Sequence, residues 1–139
     1  MPKISLPTLT AYLETDYCVF TEAPFALRIG AASEPLAGLY RQHGVNCAAF
    51  VTACNPYSQQ MDAAANAARQ AELESELKQR SLRFLAGEGR HPAGGWPAET
   101  SFLVLGISRE EAKELGRRYE QNAVAWCGPD AVPELLLLR

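Results

Sequence analysis

Hydrophobic residues recur at two spacings along this chain, three to four apart in some segments and alternating or continuous in others, and the changes of spacing mark the predicted elements. After Pro7, the residues Leu9, Tyr12 and Leu13 fall at helical spacing with Thr8 placed to cap, which predicts a short helix over 7–15 packing as a lid or flank. Tyr17 to Thr21 and Phe25 to Gly30 are β-rich runs parted by Glu22-Ala23-Pro24. In the second run Phe25, Leu27 and Ile29 alternate with Ala26 and Arg28, so one face is apolar. Ser33 before Glu34-Pro35 opens a helix with the stripe Leu36, Leu39 and Tyr40, and Gly44 stops it after His43. The run Cys47 to Ala53 is apolar throughout, as in a strand covered on both faces, and ends in the turn Cys54-Asn55-Pro56.

Ser58 to about Arg80, free of Gly and Pro, predicts the longest helix, with Ser58 as its cap. Leu82 to Ala86 and Ser101 to Ile107 read as strands joined by the glycine-rich loop Gly87 to Pro97. Ser108 with Glu110 and Glu111 opens a further helix in the manner of a capping box. Ala123 to Cys127 and Pro133 to Leu138 supply the last strands. The order predicts one α/β domain of α+β character over residues 1–139, a mixed β-sheet with helices packed on it. Strand pairs this close in sequence require antiparallel neighbours, which puts a doubly wound parallel fold second.

Composition narrows the function classes. At 139 residues and 47% hydrophobic content the chain can hold a core without disulfides or metals. Thirteen Lys and Arg against sixteen Asp and Glu leave a net charge of -3, which weakly repels phosphate backbones. The densest basic run, Lys78, Arg80, Arg83 and Arg90, is interleaved with Glu72, Glu74, Glu76 and Glu88 and reads as a solvated face, against nucleic acid as a partner. The first residues carry no signal-peptide pattern and no run approaches a membrane span, so a cytoplasmic protein with no membrane partner is expected. Cys18, Cys47, Cys54 and Cys127 are far apart and form no metal or redox spacing, which predicts buried free thiols. His43 and His91 have no ligand partner at a recognisable spacing; the first suits a helix C-terminus and the second lies in the glycine loop. That loop lacks both the phosphate-loop and the dinucleotide pattern, and nothing in the sequence asks for a cofactor or a metal.

Four local patterns together resemble a bacterial family, domain of unknown function 3293. They are Phe25-Ala26-Leu27-Arg28-Ile29-Gly30, Thr52-Ala53-Cys54-Asn55-Pro56 with Ser58, Trp96-Pro97-Ala98-Glu99-Thr100-Ser101-Phe102, and Gln121-Asn122-Ala123. The resemblance covers most of the chain and implies a small cytoplasmic domain, without implying a reaction. It also implies that the slot of Cys54 varies, which counts against a nucleophilic role for that thiol.

Two readings of the polar strand-end residues follow. In the first, Thr52, Asn55, Ser58, Glu99, Ser101 and Arg28 border a pocket for a small polar ligand or a catalytic site, with the glycine loop, Arg90 and Trp96 as a movable edge. Asn55 stands between a buried strand and a helix, where free N–H groups collect anions. Glu99 and Ser101, two apart on an extended segment, face one side and present a carboxylate beside a hydroxyl. In the second reading the same groups are structural: Asn55 makes a turn, Ser58 caps, Glu99 pairs with Arg28 or Arg90, Asn66 turns inward toward Thr52 and Glu99, and Gln121 and Asn122 satisfy backbone groups. The protein is then an interaction module or a homodimer, with Leu135 to Leu138 as a buried strand or dimer edge.

Overall fold

A computed structural model describes residues 4–94 and 97–139. In chain order the elements are α1 (Leu6–Glu14), β1 (Asp16–Val19), β2 (Phe25–Leu27), α2 (Glu34–His43), β3 (Ala48–Val51), a 3-10 turn at Pro56–Ser58, α3 (Ala63–Gln79), β4 (Arg83–Arg90), β5 (Glu99–Leu105), α4 (Arg109–Arg118), β6 (Ala123–Cys127) and β7 (Pro133–Leu137). The strands form one sheet in the order β2-β1-β4-β5-β3-β6-β7. The fold is α+β, and among the described residues every strand pairing is antiparallel, where the sequence suggested a mixed sheet. The reason lies in how the crossovers are split: α3 joins β3 to β4 and α4 joins β5 to β6, each pair running parallel but separated by one strand that runs against both, so no two parallel strands are adjacent.

Alternation along the central strands sorts the core into two layers. Ala49 and Val51 of β3 and Phe102 and Val104 of β5 face α3 and α4, where Leu73, Leu77, Ala112 and Leu115 meet them. Ala48, Phe50, Leu103 and Leu105 face the other way, toward Leu36, Leu39 and Tyr40 of α2. The continuous apolar run of β3 is thus explained, since all four of its residues are buried.

The sheet curls. The segment after the edge strand β2 reaches the opposite edge, where the Gly30 N–H donates to the Pro133 carbonyl at 2.8 Å and the Ser33 N–H to that of Ala131 at 3.0 Å. Gly87 and Gly89 sit on β4 opposite Ser101 and Glu99, so two strand positions on that face carry no side chain. The sequence placed these glycines in a loop; instead β4 runs through Arg90. Glycine is what lets the strand pass so close to its neighbours, because a Cβ on Gly87 would lie 2.5 Å from the Cys18 carbonyl oxygen and 2.9 Å from the Phe50 ring.

A second boundary also moved. The longest helix starts at Ala63, with the Asp62 carboxylate accepting from the Ala65 N–H at 2.7 Å, and Ser58 is not its cap. Between β3 and α3 the backbone turns through left-handed conformations at Asn55 (φ 49°), Tyr57 (φ 53°) and Ser58 (φ 60°), none of them glycine. Three of the four residues of the basic run are neutralised in place, Lys78 by Glu74, Arg80 by Glu76 and Arg90 by Glu88, while Arg83 reaches His43 and donates to its carbonyl at 3.3 Å. No helix among the described residues is long and apolar enough to cross a membrane.

Candidate functional site

The curled face that α2 covers at one end is open at the other, and α1 lies across the opening. Between them is a cavity of about 290 Å³. Its floor draws on six strands: Tyr17 of β1, Gly89 of β4, Glu99 and Ser101 of β5, Phe50 of β3, Ala123 and Ala125 of β6, and Leu135 of β7. The roof is one side of α1, where Pro7, Thr8, Ala11 and Tyr12 recur at helical spacing. Because α1 buries none of its residues fully, polar contacts do much of the holding. Tyr12 Oη shares a short hydrogen bond with Ser58 Oγ, the Asn122 amide donates to both hydroxyls, and the Tyr17 hydroxyl donates to the Tyr12 carbonyl at 2.8 Å. The lid or flank expected from the sequence is this helix.

Five of the six residues singled out from the sequence, Thr52, Asn55, Ser58, Glu99 and Ser101, line this one cavity. Arg28 does not. Its guanidinium pairs with Asp16 at the sheet edge and faces a separate shallow depression near Ser33 to Pro35. Arg90 also turns elsewhere, to Glu88 and over the Phe20 ring. Trp96, expected at the loop exit, lies outside the described residues.

Asn55 organises the polar wall. Its amide donates to Glu99 Oε2 at 2.6 Å, and its Oδ1 accepts from the Met61 N–H at 2.9 Å and from the Asn66 amide at 2.9 Å. Asn66 returns a bond by accepting from the Asn55 backbone N–H at 2.8 Å. Asn66 therefore meets Asn55, where the sequence pointed it toward Thr52 and Glu99. The group beside Thr52 is Gln70, whose Oε1 accepts from the Ala53 N–H at 3.0 Å. The anion site expected at the start of the following helix is not formed there, because Asp62 puts a carboxylate on those N–H groups.

Gln121, read from sequence as a backbone-satisfying amide, does that and also lines the cavity. Its Nε2 donates to the carbonyls of Cys54 at 3.0 Å and Tyr119 at 3.1 Å. His91, read as a loop residue, is in the cavity wall, its Nδ1 accepting from the Ala93 N–H and its Nε2 3.6 Å from Glu14. Sequence reasoning missed Tyr12 and Tyr17 as wall residues. A tyrosine on the inward stripe of a predicted helix is a signal, since a covered phenol needs a partner.

The thiols take no part in the wall. Burial pushes Cys54 up from the usual thiol range, and Cys127, fully buried, is pushed up to about 12. Both are expected to react with a thiol-specific disulfide reagent only on unfolding; reaction of Cys54 in the native protein at the rate of a free thiol would contradict that placement. Among the described residues no group of three His, Cys, Asp or Glu is placed to hold a metal ion.

No curated protein and no solved structure matches the chain. The model of a family described as a protein of unknown function, DUF3293, matches residues 51–124, more than half of the chain, and the chain belongs to that family.

Proposed function

We propose that the cavity under α1 is a binding site for a small organic ligand with a polar head and an apolar body. The observation that carries this reading is convergence. The strands β1 and β5, the helix α1 and the strained turn after β3 deliver polar groups from distant parts of the chain to one space, with Phe50, Ala123, Ala125 and Leu135 forming an apolar floor beside them. The volume is at the lower end of the ~300–1,000 Å³ usual for small-molecule sites. Backbone held in left-handed conformations at three non-glycine residues also supports it, because such strain persists where surrounding contacts over-determine it, and it concentrates at functional sites. Thr52, Asn55, Ser58, Glu99, Ser101 and Gln121 all fall within the matched segment 51–124.

A cytoplasmic location belongs to the same proposal, supported by four free cysteines, as a reducing compartment maintains. Nucleic acid is not proposed as a partner, since three of the four residues of the basic run are paired with glutamates. A homodimer through β7 is the weaker reading. Leu137 is exposed at that edge, but the Gly30 N–H already occupies the Pro133 carbonyl there.

A fragment screen by protein-observed NMR tests the site. Binders are expected to shift the amides of Ser101, Gln121 and Ala125, and Ala125→Leu, which fills the apolar floor, is expected to lose that binding while remaining folded by circular dichroism. Binders that shift only residues away from the cavity, or that bind the filled variant equally well, would overturn the proposal.

A further inference from the structure

Helix α1 is attached to the protein almost wholly at one end. It contributes no residue to either core layer, and on its outer side Leu6 and Leu13, two turns apart, are 73% and 46% exposed. Among the described residues its polar ties to the rest of the chain fall on Tyr12 and Glu14, in its last turn. The Tyr12 hydroxyl meets Ser58 and Asn122, the Tyr12 carbonyl accepts from the Tyr17 hydroxyl, and Glu14 lies 3.6 Å from His91 Nε2. Residues 6–10 bond only within their own segment. Thr15 is the single residue between α1 and β1, so a change in its backbone angles swings the helix while Asp16 stays paired with Arg90.

The sheet side of this attachment is fixed. Asn122 precedes β6 and is buried, and its Oδ1 accepts from Arg139 Nη1 at 3.3 Å, which turns the amide nitrogen toward the hydroxyls of Tyr12 at 3.2 Å and Ser58 at 3.0 Å. When Tyr12 leaves, Ser58 and Asn122 still hold each other, and water meets the groups that are uncovered. Opening therefore breaks few hydrogen bonds, and the floor it bares already faces the cavity. Resting on the reading of the cavity as a binding site, we infer that α1 is a hinged lid of that site: it swings about Thr15 to admit the ligand and closes on the latch that Tyr12 makes with Ser58 and Asn122. A helix of nine residues is marginal in isolation, so α1 loses its own hydrogen bonds once lifted. Elements that close over ligands are drawn from the least stable parts of a fold, and α1 fits that description. A ligand held between floor and roof makes its full contacts only in the closed state, and thereby favours it.

Amide hydrogen exchange of the full chain in dilute urea tests the lid with no ligand present. The amides of Leu9 to Leu13 are expected to exchange roughly tenfold or more faster than those of Phe50 and Leu103, with little dependence on urea, since opening exposes a small area. Tyr12→Phe keeps the ring and removes the latch, and is expected to speed exchange in α1 by roughly 5- to 30-fold for the hydrogen bonds lost. Access is read with Ala125→Cys. The thiol introduced on the cavity floor is expected to react with methyl methanethiosulfonate roughly tenfold or more faster than the buried Cys127, and to gain the same acceleration from Tyr12→Phe, both followed by fragmentation mass spectrometry. Exchange of α1 in step with the central strands at every urea concentration, or no response to Tyr12→Phe, would overturn the lid. So would an introduced thiol as unreactive as Cys127. Each of these leaves the binding reading standing, whereas a failed fragment screen would remove the ligand and leave these rates as they are.

Discussion

Asn55→Ala is expected to destabilise the protein by about 3 kcal/mol in urea unfolding, more than any other single truncation in the polar wall. Three interactions end at once. The Met61 N–H and the Asn66 amide lose their acceptor, and the Glu99 carboxylate loses a donor at 2.6 Å. Asn55 is itself buried at 4% exposure, so what it leaves behind is poorly solvated, at about 1–3 kcal/mol for an unmet buried group. Water admitted from the cavity recovers part of this on the Glu99 side. The backbone adds a separate term: φ is 49°, and a left-handed alanine costs roughly 1 kcal/mol more than asparagine or glycine there. Asn55→Gly isolates that term, because it relaxes the backbone while removing the same side chain. Glycine is expected to be about 1 kcal/mol more stable than alanine, with both well below the parent. If Asn55→Ala lost less than ~1 kcal/mol, the network would be dispensable and the turn held by something else.

Much of the architecture was legible because it rests on local signals. Ser33 and Ser108 open α2 and α4 by accepting from Leu36 and Glu111, as their spacing to the following glutamate or proline suggested. The unbroken apolar run at β3 identified an interior strand covered on both faces. Failures came where a long-range contact decides a residue's role. Ser58 has the chemistry of a cap, but the chain is still turning there, and its hydroxyl meets Tyr12 and Asn122 from opposite ends of the sequence. Asp62 was as good a cap and was overlooked beside it. Arg28 looked like a partner for Glu99; β1 pairing with β2 brings it to Asp16 instead. The site was legible in part for a general reason: polar residues at strand ends have few structural uses. Its apolar half, Phe50, Ala125 and Leu135, was not, because a residue lining a cavity and one filling a core have the same sequence pattern.

The glycines of β4 were misread for the most instructive reason, and they supply the second large effect. Gly87→Ala is expected to cost about 3 kcal/mol, at the upper end of what overpacking does, although alanine normally improves a strand. The obstruction is backbone: an added Cβ would sit 2.5 Å from the Cys18 carbonyl, and Cys18 is held in register between β2 and β4. Phe50 blocks the remaining direction at 2.9 Å. β1 would have to part from β4 by a large fraction of an ångström, loosening the Phe20 N–H bond to the Ala86 carbonyl. Gly89 is the control, two residues on along β4. A Cβ there meets nothing nearer than Thr15 Cγ2 at 3.8 Å, so Gly89→Ala is expected to leave stability within about 0.5 kcal/mol of the parent. Its effect falls on the cavity, which Gly89 lines, and a methyl group there narrows the space against α1. The two substitutions should thus separate what glycine does in this strand, close backbone approach at 87 and open volume at 89. Equal losses at both positions would mean that the strand needs glycine for its own conformation, and that the cavity is incidental to it.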